Sequence, residues 1–358
     1  MTTDHPSSKF VAPLLNRLVT GQRLDSLENQ RVFSEMLNGS LSDAQVASFL
    51  TAWRVIGEQR GELTAGASAM RDRAIRLSIP SHLRPLSDNC GTGGDGASTF
   101  NISTAAAIVA ASCGVHLAKH GNRSVSSQCG SADLLFKVGF PEDMGPDQSV
   151  ELLEKTGFTF FFAPGFHPAL RPIMPVRKSL GIRTIFNLLG PLANPVRPEI
   201  QLVGVGDRSY LRPVAESLRD LGVVRALVVH SRDGLDEISP CALTDCQMVD
   251  DGGIKSFSID PAEYGIAARI DDLRGGDSDH NASLLWELLD ATSNPKSDAI
   301  AEAVVMNAGA LIWLNQKTAD FAEGMKLARN QLRSNLARDF FKGWMSTAQA
   351  LHAAAGSP

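Results

Sequence analysis

The sequence has few cysteines. The five that it contains are odd in number and widely separated, and they form no CxxC pair: Cys90, Cys113, Cys129, Cys241 and Cys246. A disulfide framework needs paired cysteines and a thiolate metal site needs closely spaced ones. Neither is therefore expected. Cys90 and Cys129 are interpreted as packing residues, with accessible thiols as the alternative.

Long apolar runs are also missing. The longest apolar stretch, at residues 102–118, is interrupted by Ser, Thr, Gly and His, which is typical of a buried helix and not of a membrane span. The first ten residues, MTTDHPSSKF, lack the basic and then apolar pattern of a secretory signal. The cytoplasm is the expected compartment, and no membrane partner is expected.

The chain has no strong excess of charge of either sign. Its 34 basic and 39 acidic residues leave a formal charge of −5 and a pI near 5.9, which argues against a nucleic-acid-binding surface. Its 358 residues, 43% hydrophobic and 20% charged, are sufficient for a large core and two domains.

One stretch lacks acidic residues altogether. No Asp or Glu lies between Asp95 and Asp133, whereas Lys119, Arg123 and many Ser, Thr and Asn do. A surface of this length would ordinarily carry both signs of charge. The pattern indicates a binding surface for a ligand with several negative charges.

Two features suited to binding phosphate lie at the start of this stretch. Glycines at 91, 93, 94 and 96 permit positive φ and let bare N–H groups point at an anion. Residues 101–104, NIST, stand where an apolar helical pattern begins, so they lie at a helix N-terminus that favours phosphate.

Other interpretations of the glycines are weaker. They match GxGxxG, but that dinucleotide motif should follow a strand and precede an acid about 20 residues on. Residues 85–88 predict a poor strand, and no acid lies near residues 116–120. There is no GxxxxGK[ST] loop. A glycine turn without a ligand would not explain the second loop, residues 119–131, which also lacks acidic residues.

The motifs GTGGD, FNIST, KHGNRSVSS and GSAD, in this order and spacing, resemble the anthranilate phosphoribosyltransferase family, which shares the class II nucleoside phosphorylase fold. The resemblance continues through residues 167–195 and 225–239. It covers nearly the whole chain, about residues 10–345.

An α/β fold is expected. Helical patterns at residues 11–20, 25–39, 44–56 and 62–77 include capping boxes at Asp25 and Ser42. Buried strands are predicted at 115–118, 158–163, 201–205 and 225–229, alternating with helices, which indicates a mainly parallel sheet with helices on both faces. The family resemblance implies a small all-helical N-terminal domain, residues 1–84 completed by about 172–198, and a larger phosphoribosyl-binding domain of residues 85–171 and 199–358.

The resemblance also implies the reaction, which is transfer of the 5-phosphoribosyl group from phosphoribosyl pyrophosphate to the amine of anthranilate in tryptophan biosynthesis. No covalent catalytic residue is implied. The residues implied to contact phosphoribosyl pyrophosphate are Gly91, Gly94, Asp95, Thr99, Asn101, Ile102, Ser103, Thr104, Lys119, His120, Gly121, Asn122, Arg123, Ser124, Val125, Ser126, Ser127 and Ser131. Asp95 has a second interpretation, as a turn residue that binds its own backbone.

Asp236, Glu237 and Ser103 are the implied ligands of Mg²⁺, with two ions expected. Hard carboxylate and hydroxyl oxygens suit this cation. By itself an Asp-Glu pair is usually solvated surface, but this pair follows a predicted buried strand.

Anthranilate is implied to meet Arg177, Gly91 and Asn122, because a guanidinium suits its carboxylate. His120 and His167 are further candidates. Arg183 is of the same residue type as Arg177, and only the motif separates the two. The resemblance further implies a homodimer joined through the helical domain.

Two alternative functions remain open at this point. A nucleoside phosphorylase would use inorganic phosphate and a pyrimidine nucleoside, whereas residues 167–195 and the acid pair favour the transferase. A non-catalytic nucleic-acid-binding relative should have a basic surface and a degraded metal or amine site, and this sequence has neither.

Overall fold

The structure is a computed structural model, of which residues 10–124, 128–292 and 294–355 are described. The chain begins with four helices: α1 (Val11–Val19), α2 (Ser26–Leu37), α3 (Asp43–Ile56) and α4 (Arg60–Arg73). The predicted capping boxes are present at Asp25 and Ser42. Helix α4 ends earlier than the predicted residue 77, because the chain becomes extended and the N–H of Ile75 donates to the carbonyl of Phe166 at 3.0 Å.

A seven-stranded sheet forms the centre of the larger part, in the order β3-β2-β1-β4-β5-β6-β7. Its strands are β1 (Ser87–Gly91), β2 (Leu117–Gly121), β3 (Phe158–Phe162), β4 (Ile200–Gly204), β5 (Arg225–Ser231), β6 (Thr244–Asp250) and β7 (Gly253–Ile259). The first five in chain order pair in parallel and β5-β6-β7 pair antiparallel. The prediction of a mainly parallel sheet is confirmed.

The prediction of a poor strand before the glycine loop, residues 91–96, was wrong. Strand β1 occupies the centre of the sheet although its sequence is SDNCG. Its polar side chains are buried and find partners: Ser87 with Asn315, Asp88 with Asn194, and Asn89 with Lys119. Hydrogen bonds to distant residues therefore replace the apolar packing by which a buried strand is usually recognised.

Two other differences concern strands. Strand β2 starts two residues later than predicted, because Val115 still closes the turn after the preceding helix by donating to Ala110 at 3.2 Å. The hairpin of β6 and β7 was not predicted. Four consecutive residues of β7 are exposed, so it lacks the apolar run that identified the buried strands.

Eleven further helices are described. They are α5 (Ile102–Ser112), α6 (Ser131–Lys137), α7 (Pro146–Thr156), α8 (Ala163–Phe166), α9 (Met174–Leu180), α10 (Ile185–Leu189), α11 (Leu211–Asp220), α12 (Ser278–Leu289), α13 (Pro295–Leu314), α14 (Phe321–Arg333) and α15 (Leu336–Ala355). Among the described residues, none of the helices is both long and apolar enough to cross a bilayer.

The two faces of the sheet belong to different cores. Leu227 and Val229 of β5 belong to the core that includes α5, α13 and α15, whereas Ala226 and Val228 belong to the core that includes α11 and the N-terminal helices. This alternation follows from the two-residue period of a strand. The N-terminal helices therefore share a core with one face of the sheet.

Helices α9 and α10 return to the N-terminal helices, as the resemblance implies. The ring of Phe186 in α10 lies 6.4 Å from that of Phe33 in α2, edge to face, and the side chain of Leu189 lies against Gly66 of α4. The exact domain boundaries stay a prediction.

Candidate functional site

Loops from distant parts of the chain meet at the carboxyl edge of the sheet. The glycine loop follows β1, the acid pair Asp236-Glu237 follows β5, and helix α5 begins beside them. The N–H of Gly93 donates to Asp236 Oδ2 at 2.7 Å, and the N–H of Ser103 donates to Glu237 Oε1 at 3.1 Å. The structure therefore brings together the predicted phosphate-binding features and the predicted metal acids.

Asp236 lies against two glycines at strand ends. A Cβ atom at Gly91 would overlap the carboxylate of Asp236, and one at Gly204 would overlap its main-chain oxygen. Gly91 was predicted as a substrate contact, but Gly204 was missed. Its only signal in the sequence is a glycine at the end of a buried strand, which often marks a close approach of another segment.

The acid pair is electrostatically strained. Burial raises the pKa of Asp236, and the nearby carboxylate of Asp95 raises it further. Burial also raises the pKa of Glu237, with Asp236 as the next largest cause. A cation at this position would relieve the repulsion among the three carboxylates.

The donor set suits Mg²⁺. Within the described ranges, no group of three or more His, Cys, Asp or Glu is arranged to hold a metal ion by protein ligands alone. Mg²⁺ commonly binds one or two carboxylates and fills its other positions with water and substrate phosphate oxygens. Asp236 and Glu237, with the hydroxyl of Ser103, fit that manner of binding.

Lys119 lies beneath Ser103 and is buried, with 2% of its surface exposed. Its Nζ donates to the main-chain oxygen of Asn89 at 2.6 Å, to Asn89 Oδ1 at 3.3 Å and to Ser103 Oγ at 3.4 Å. Asn89 Nδ2 donates to the carbonyl of Ser103 at 2.7 Å. The ammonium group therefore holds the start of α5 and supplies positive charge at the base of the site.

Asp88 anchors the end of β2. Its carboxylate accepts from the N–H of His120 at 3.1 Å and from Asn194 Nδ2 at 2.9 Å. Burial raises the pKa of Asp88 to about 6, whereas Lys119 acts to lower it. Asn194 Nδ2 also donates to the carbonyl of Ala118 at 2.8 Å. The segment after α10 is thereby joined to both β1 and β2.

His120 and His167 are stacked edge to face, with ring centroids 5.1 Å apart. Burial lowers the pKa of His120 to about 3 and that of His167 to about 4, so both rings are neutral at physiological pH. His120 Nδ1 lies 3.3 Å from the carbonyl of Gly190, which requires the proton on Nδ1. Each Nε2 atom is buried without a partner in the described part of the chain.

The glycine loop is supported by Arg183. Gly93 and Gly94 both have positive φ, and Arg183 Nη2 donates to the carbonyls of Thr92 at 3.1 Å and Gly93 at 2.8 Å. Asp95 accepts from the N–H of Ala97 at 3.2 Å, which is the turn geometry considered as the second interpretation.

Arg177 has a different environment. It lies in α9, half-buried, with Cζ 5.4 Å from the centroid of the Phe186 ring. Burial lowers its pKa. Over residues 10–124, 128–292 and 294–355, no carboxylate lies within 4.0 Å of it, although many other arginines have such a partner. A half-buried guanidinium of this kind suits an anionic ligand.

The start of α5 contributes fewer side chains than predicted. Ile102 and Thr104 are buried in the core, with 1% and 0% exposure, so only their backbone can approach a ligand. Asn101 Nδ2 donates to the carbonyl of Cys129 at 3.1 Å, which ties the helix to the second loop. Thr99 forms an isolated bridge with Arg274.

Acidic residues that follow the acid-free stretch bind residues of the second loop. Arg123 pairs with Asp133 at 3.3 Å and with Glu142 at 2.6 Å, so its charge is shared with protein carboxylates. The N–H of Ser124 donates to Asp133 at 3.0 Å, and Ser131 Oγ donates to the carbonyl of Asn122 at 3.3 Å. The predicted contacts Val125, Ser126 and Ser127 lie outside the described residues.

Gly121, the last predicted contact of this loop, ends β2. A Cβ atom there would overlap the hydroxyl of Ser131 and crowd the ring of Phe160. Glycine therefore allows the loop after β2 to return closely over the strand.

Two family models match the chain. Residues 83–338 match "Glycosyl transferase family, a/b domain", and residues 12–74 match "Glycosyl transferase family, helical bundle domain".

Similar proteins include an anthranilate phosphoribosyltransferase from Thermoanaerobacter, 41% identical over 91% of this chain and 95% of that one. Another, from Desulfatibacillum aliphaticivorans, is 43% identical over 90% of this chain and 94% of that one.

Solved structures are similar as well. Anthranilate phosphoribosyltransferase from Thermus thermophilus has a TM-score of 0.85 and 39% identity, covering 94% of this chain and 99% of that chain. The enzyme of the same name from Saccharomyces cerevisiae, in complex with PRPP and Mg, has a TM-score of 0.87 and 27% identity, covering 97% and 99%.

Proposed function

The chain belongs to the anthranilate phosphoribosyltransferase family, and from that premise we propose that it transfers the 5-phosphoribosyl group from phosphoribosyl pyrophosphate to the amine of anthranilate. The products are N-(5-phosphoribosyl)anthranilate and pyrophosphate, and the reaction belongs to tryptophan biosynthesis. The observation that carries the proposal is the pair of hydrogen bonds from Gly93 to Asp236 and from Ser103 to Glu237. These bonds support the proposal, because they hold the candidate metal acids next to two backbone segments that are suited to binding anions.

The reaction breaks the bond between the anomeric carbon and an oxygen of pyrophosphate. It forms a bond between the same carbon and the amine nitrogen of anthranilate, and this nitrogen then loses a proton. The transition state has oxocarbenium character, so the protein needs no covalent nucleophile. The chain must hold the two substrates in line and stabilise the charge that develops on pyrophosphate. The glycine loop, the start of α5 and the hydroxyls of the second loop are suited to this.

Asp236, Glu237 and Ser103 would hold Mg²⁺, which neutralises pyrophosphate charge when it is bound. We propose two ions. The two acids are held by different segments, Asp236 by the glycine loop and Glu237 by the start of α5, which supports separate positions. Lys119 adds a positive charge beneath Ser103 that does not depend on metal.

For the amine side, Arg177 would pair with the anthranilate carboxylate, because its half-buried charge has no carboxylate partner in the described residues. Asn122 and the backbone of Gly91 complete the proposed contacts. We place His120 and His167 along the channel for anthranilate. Both rings are buried and neutral, so they would shape the wall of that channel without adding charge to it.

The alternatives are not favoured. The similar proteins quoted above are anthranilate phosphoribosyltransferases over nearly their whole length. The acid pair remains in place beside the glycine loop, unlike the degraded site expected of a non-catalytic relative.

We also propose a homodimer joined through the N-terminal helices. Three large apolar side chains there are strongly exposed: Val19 by 70%, Leu27 by 76% and Val55 by 79%. Such residues are common at subunit interfaces. The cytoplasm is the proposed compartment, because both substrates are charged and would not cross a membrane unaided.

The direct test follows the fluorescence of anthranilate. Protein, phosphoribosyl pyrophosphate and Mg²⁺ together should abolish it, and omission of any one should preserve it. Persistent fluorescence with all three present, together with phosphate-dependent cleavage of a pyrimidine nucleoside, would support the phosphorylase instead.

A further inference from the structure

Asn307, in the middle of α13, binds both backbone polar groups of Ile238 in the acid loop, residues 232–243 between β5 and β6. Its Oδ1 accepts from the N–H of Ile238 at 3.0 Å, and its Nδ2 donates to the carbonyl of Ile238 at 2.9 Å. The same Nδ2 donates to the carbonyl of Ala303 at 2.9 Å, one turn earlier in the helix. Asn307 is fully buried. One amide thus acts on Ile238 as a neighbouring strand would.

Ile238 directly follows the acid pair. Its side chain and that of Leu235 are both 0% exposed and belong to the core on the α13 side of the sheet. Asp236 and Glu237 therefore lie between two residues that are anchored in the core. Asn307 also holds the backbone of Ile238 through two hydrogen bonds.

The remaining supports of the acids come from loops. Gly93 and Ser103 each donate one backbone N–H to the pair, and both belong to segments proposed to bind the substrate. Asn307 differs because it stands on a twenty-residue helix packed in the core, and nothing places it in contact with substrate.

We propose that Asn307 is a positioning residue for the proposed transferase reaction: it holds the backbone after Asp236 and Glu237 so that both carboxylates face the metal and pyrophosphate. This inference rests on the proposed function. A side chain of the same shape without an amide, such as leucine, would leave both polar groups of Ile238 unbound. The loop would then relax, and the acids would move relative to the glycine loop.

The residue that directly follows α13 provides a control. Asn315, eight residues on, donates to the carbonyl of Leu311 at 2.8 Å and to Ser87 Oγ at 2.8 Å. Ser87 starts β1, so Asn315 lies near the opposite end of the strands, about 12 Å further along the helix. Asn307→Leu and Asn315→Leu each remove one asparagine that donates to a carbonyl of α13, but only Asn307 faces the acid loop.

The experiment compares these two variants by three measurements. The first is hydrogen exchange of the peptide containing Ile238, the second is Mn²⁺ binding by electron paramagnetic resonance with phosphoribosyl pyrophosphate present, and the third is the Mg²⁺ dependence of kcat. For Asn307→Leu we expect about ten-fold faster hydrogen exchange at Ile238, because its N–H loses its hydrogen-bond acceptor. We also expect roughly ten-fold weaker metal binding, which is the size of effect seen when a hydrogen bond that supports metal-binding residues is removed. The KM for anthranilate should stay within about two-fold. Asn315→Leu should preserve all three values.

A second variant covers the case in which Asn307→Leu does not fold. Asn307→Asp keeps the shape, and burial beside the carbonyls of Ile238 and Ala303 favours its protonated form. It then keeps the acceptor for the N–H of Ile238 and one donor, so it should give a smaller loss of metal affinity than leucine. Equal losses of metal affinity in the Asn307 and Asn315 variants would overturn the proposal, because they would show a general structural role. Unchanged exchange at Ile238 would also overturn it.

Metal binding by a variant of the acid pair distinguishes an error in the proposed metal site from an error in the proposed role of Asn307. If Asp236→Asn with Glu237→Gln leaves metal binding unchanged, these acids do not bind the metal, and the role of Asn307 falls with them. If that double variant loses metal binding but Asn307→Leu keeps it, only the positioning role is wrong.

Discussion

Asp236 Oδ2 accepts a hydrogen bond from the backbone N–H of Gly93 at 2.7 Å, across a sequence separation of 143 residues. The bond joins the loop after β1 to the loop after β5, although β4 lies between these strands in the sheet. It can form because Gly91 and Gly204 have no side chain where Asp236 lies. The candidate metal acids and the candidate phosphate loop are therefore one structural unit.

The first prediction concerns the charge of the acid pair. The variant Asp236→Asn with Glu237→Gln keeps size while removing both charges, so it should lower turnover by at least ~10²-fold and make Mg²⁺ far less effective. Steady-state rates across a Mg²⁺ titration test this. Asp250→Asn with Asp251→Asn removes two adjacent acids at the turn between β6 and β7, away from the site, and should behave as wild type. Unaltered turnover and Mg²⁺ dependence in the first variant would show that the acids are only surface residues.

The second prediction concerns Gly204. The added Cβ of Gly204→Ala would overlap the main-chain oxygen of Asp236, so the acid loop must move. We expect a stability loss of roughly 1–3 kcal/mol, typical of overpacking, and a higher Mg²⁺ requirement. Denaturant unfolding and a Mg²⁺ titration measure the two effects. Gly343→Ala, in α15, meets no atom within 4 Å and should be neutral or slightly stabilising. The idea fails if both variants match wild type.

The third prediction separates Arg177 from Arg183. Arg177→Ala should lower kcat/KM for anthranilate about ten- to a hundred-fold, since a charge-assisted hydrogen bond contributes roughly 1.5–3 kcal/mol, and should leave phosphoribosyl pyrophosphate binding largely intact. Arg183→Ala should instead raise the KM for phosphoribosyl pyrophosphate, because Arg183 holds the carbonyls of Thr92 and Gly93. Equal losses for both substrates in Arg177→Ala would place that residue elsewhere.

The fourth prediction concerns pH and stability. Burial lowers the pKa of His167 from 6.5 to about 4. Between these two pH values the ring is protonated in the unfolded chain and neutral in the folded chain. Stability is therefore complete above pH 6.5 and falls as the pH drops towards about 4, with a slope of up to about 1.4 kcal/mol per pH unit. His167→Gln should remove that contribution.

Denaturant unfolding at pH 7.5, 6, 5 and 4.5 measures the slope in both proteins. Asp88, whose pKa is raised to about 6, acts in the opposite direction, and His120, whose pKa is lowered to about 3, acts in the same direction. Both groups are present in both proteins, so the difference between the two curves reports His167. Parallel curves for wild type and His167→Gln would mean that the ring is not excluded from water.

The fifth prediction concerns assembly. Light scattering at micromolar concentration should give about twice the chain mass of 38.3 kDa. Val55→Asp would bury a charge in the proposed interface and should lower that mass towards the monomer. Val224→Asp, at a residue 59% exposed just before β5, is the matched control and should not. A monomeric mass for wild type would end the dimer proposal.

Much of the architecture was predictable from short stretches of sequence. The capping boxes at Asp25 and Ser42 involve residues three positions apart, so the helix starts could be recognised locally. The apolar runs of β3, β4 and β5 predicted buried parallel strands for the same reason. The position of the acid pair after one of these strands placed it at the carboxyl edge of the sheet, where ligands bind.

Other features depend on partners far away in the chain. Strand β1 is polar, and it is stable in the centre of the sheet because Asp88 meets Asn194 and Ser87 meets Asn315, at separations of 106 and 228 residues. No local pattern shows such pairs. The contact between Gly204 and Asp236 and the hydrogen bonds between Asn307 and Ile238 also join residues that are far apart in the sequence. Sequence patterns were sufficient to predict the helices, most strands and the residue types of the candidate site. The side chains that support this site became visible only in the folded chain, because a buried polar group needs a hydrogen-bond partner and that partner can lie anywhere in the sequence.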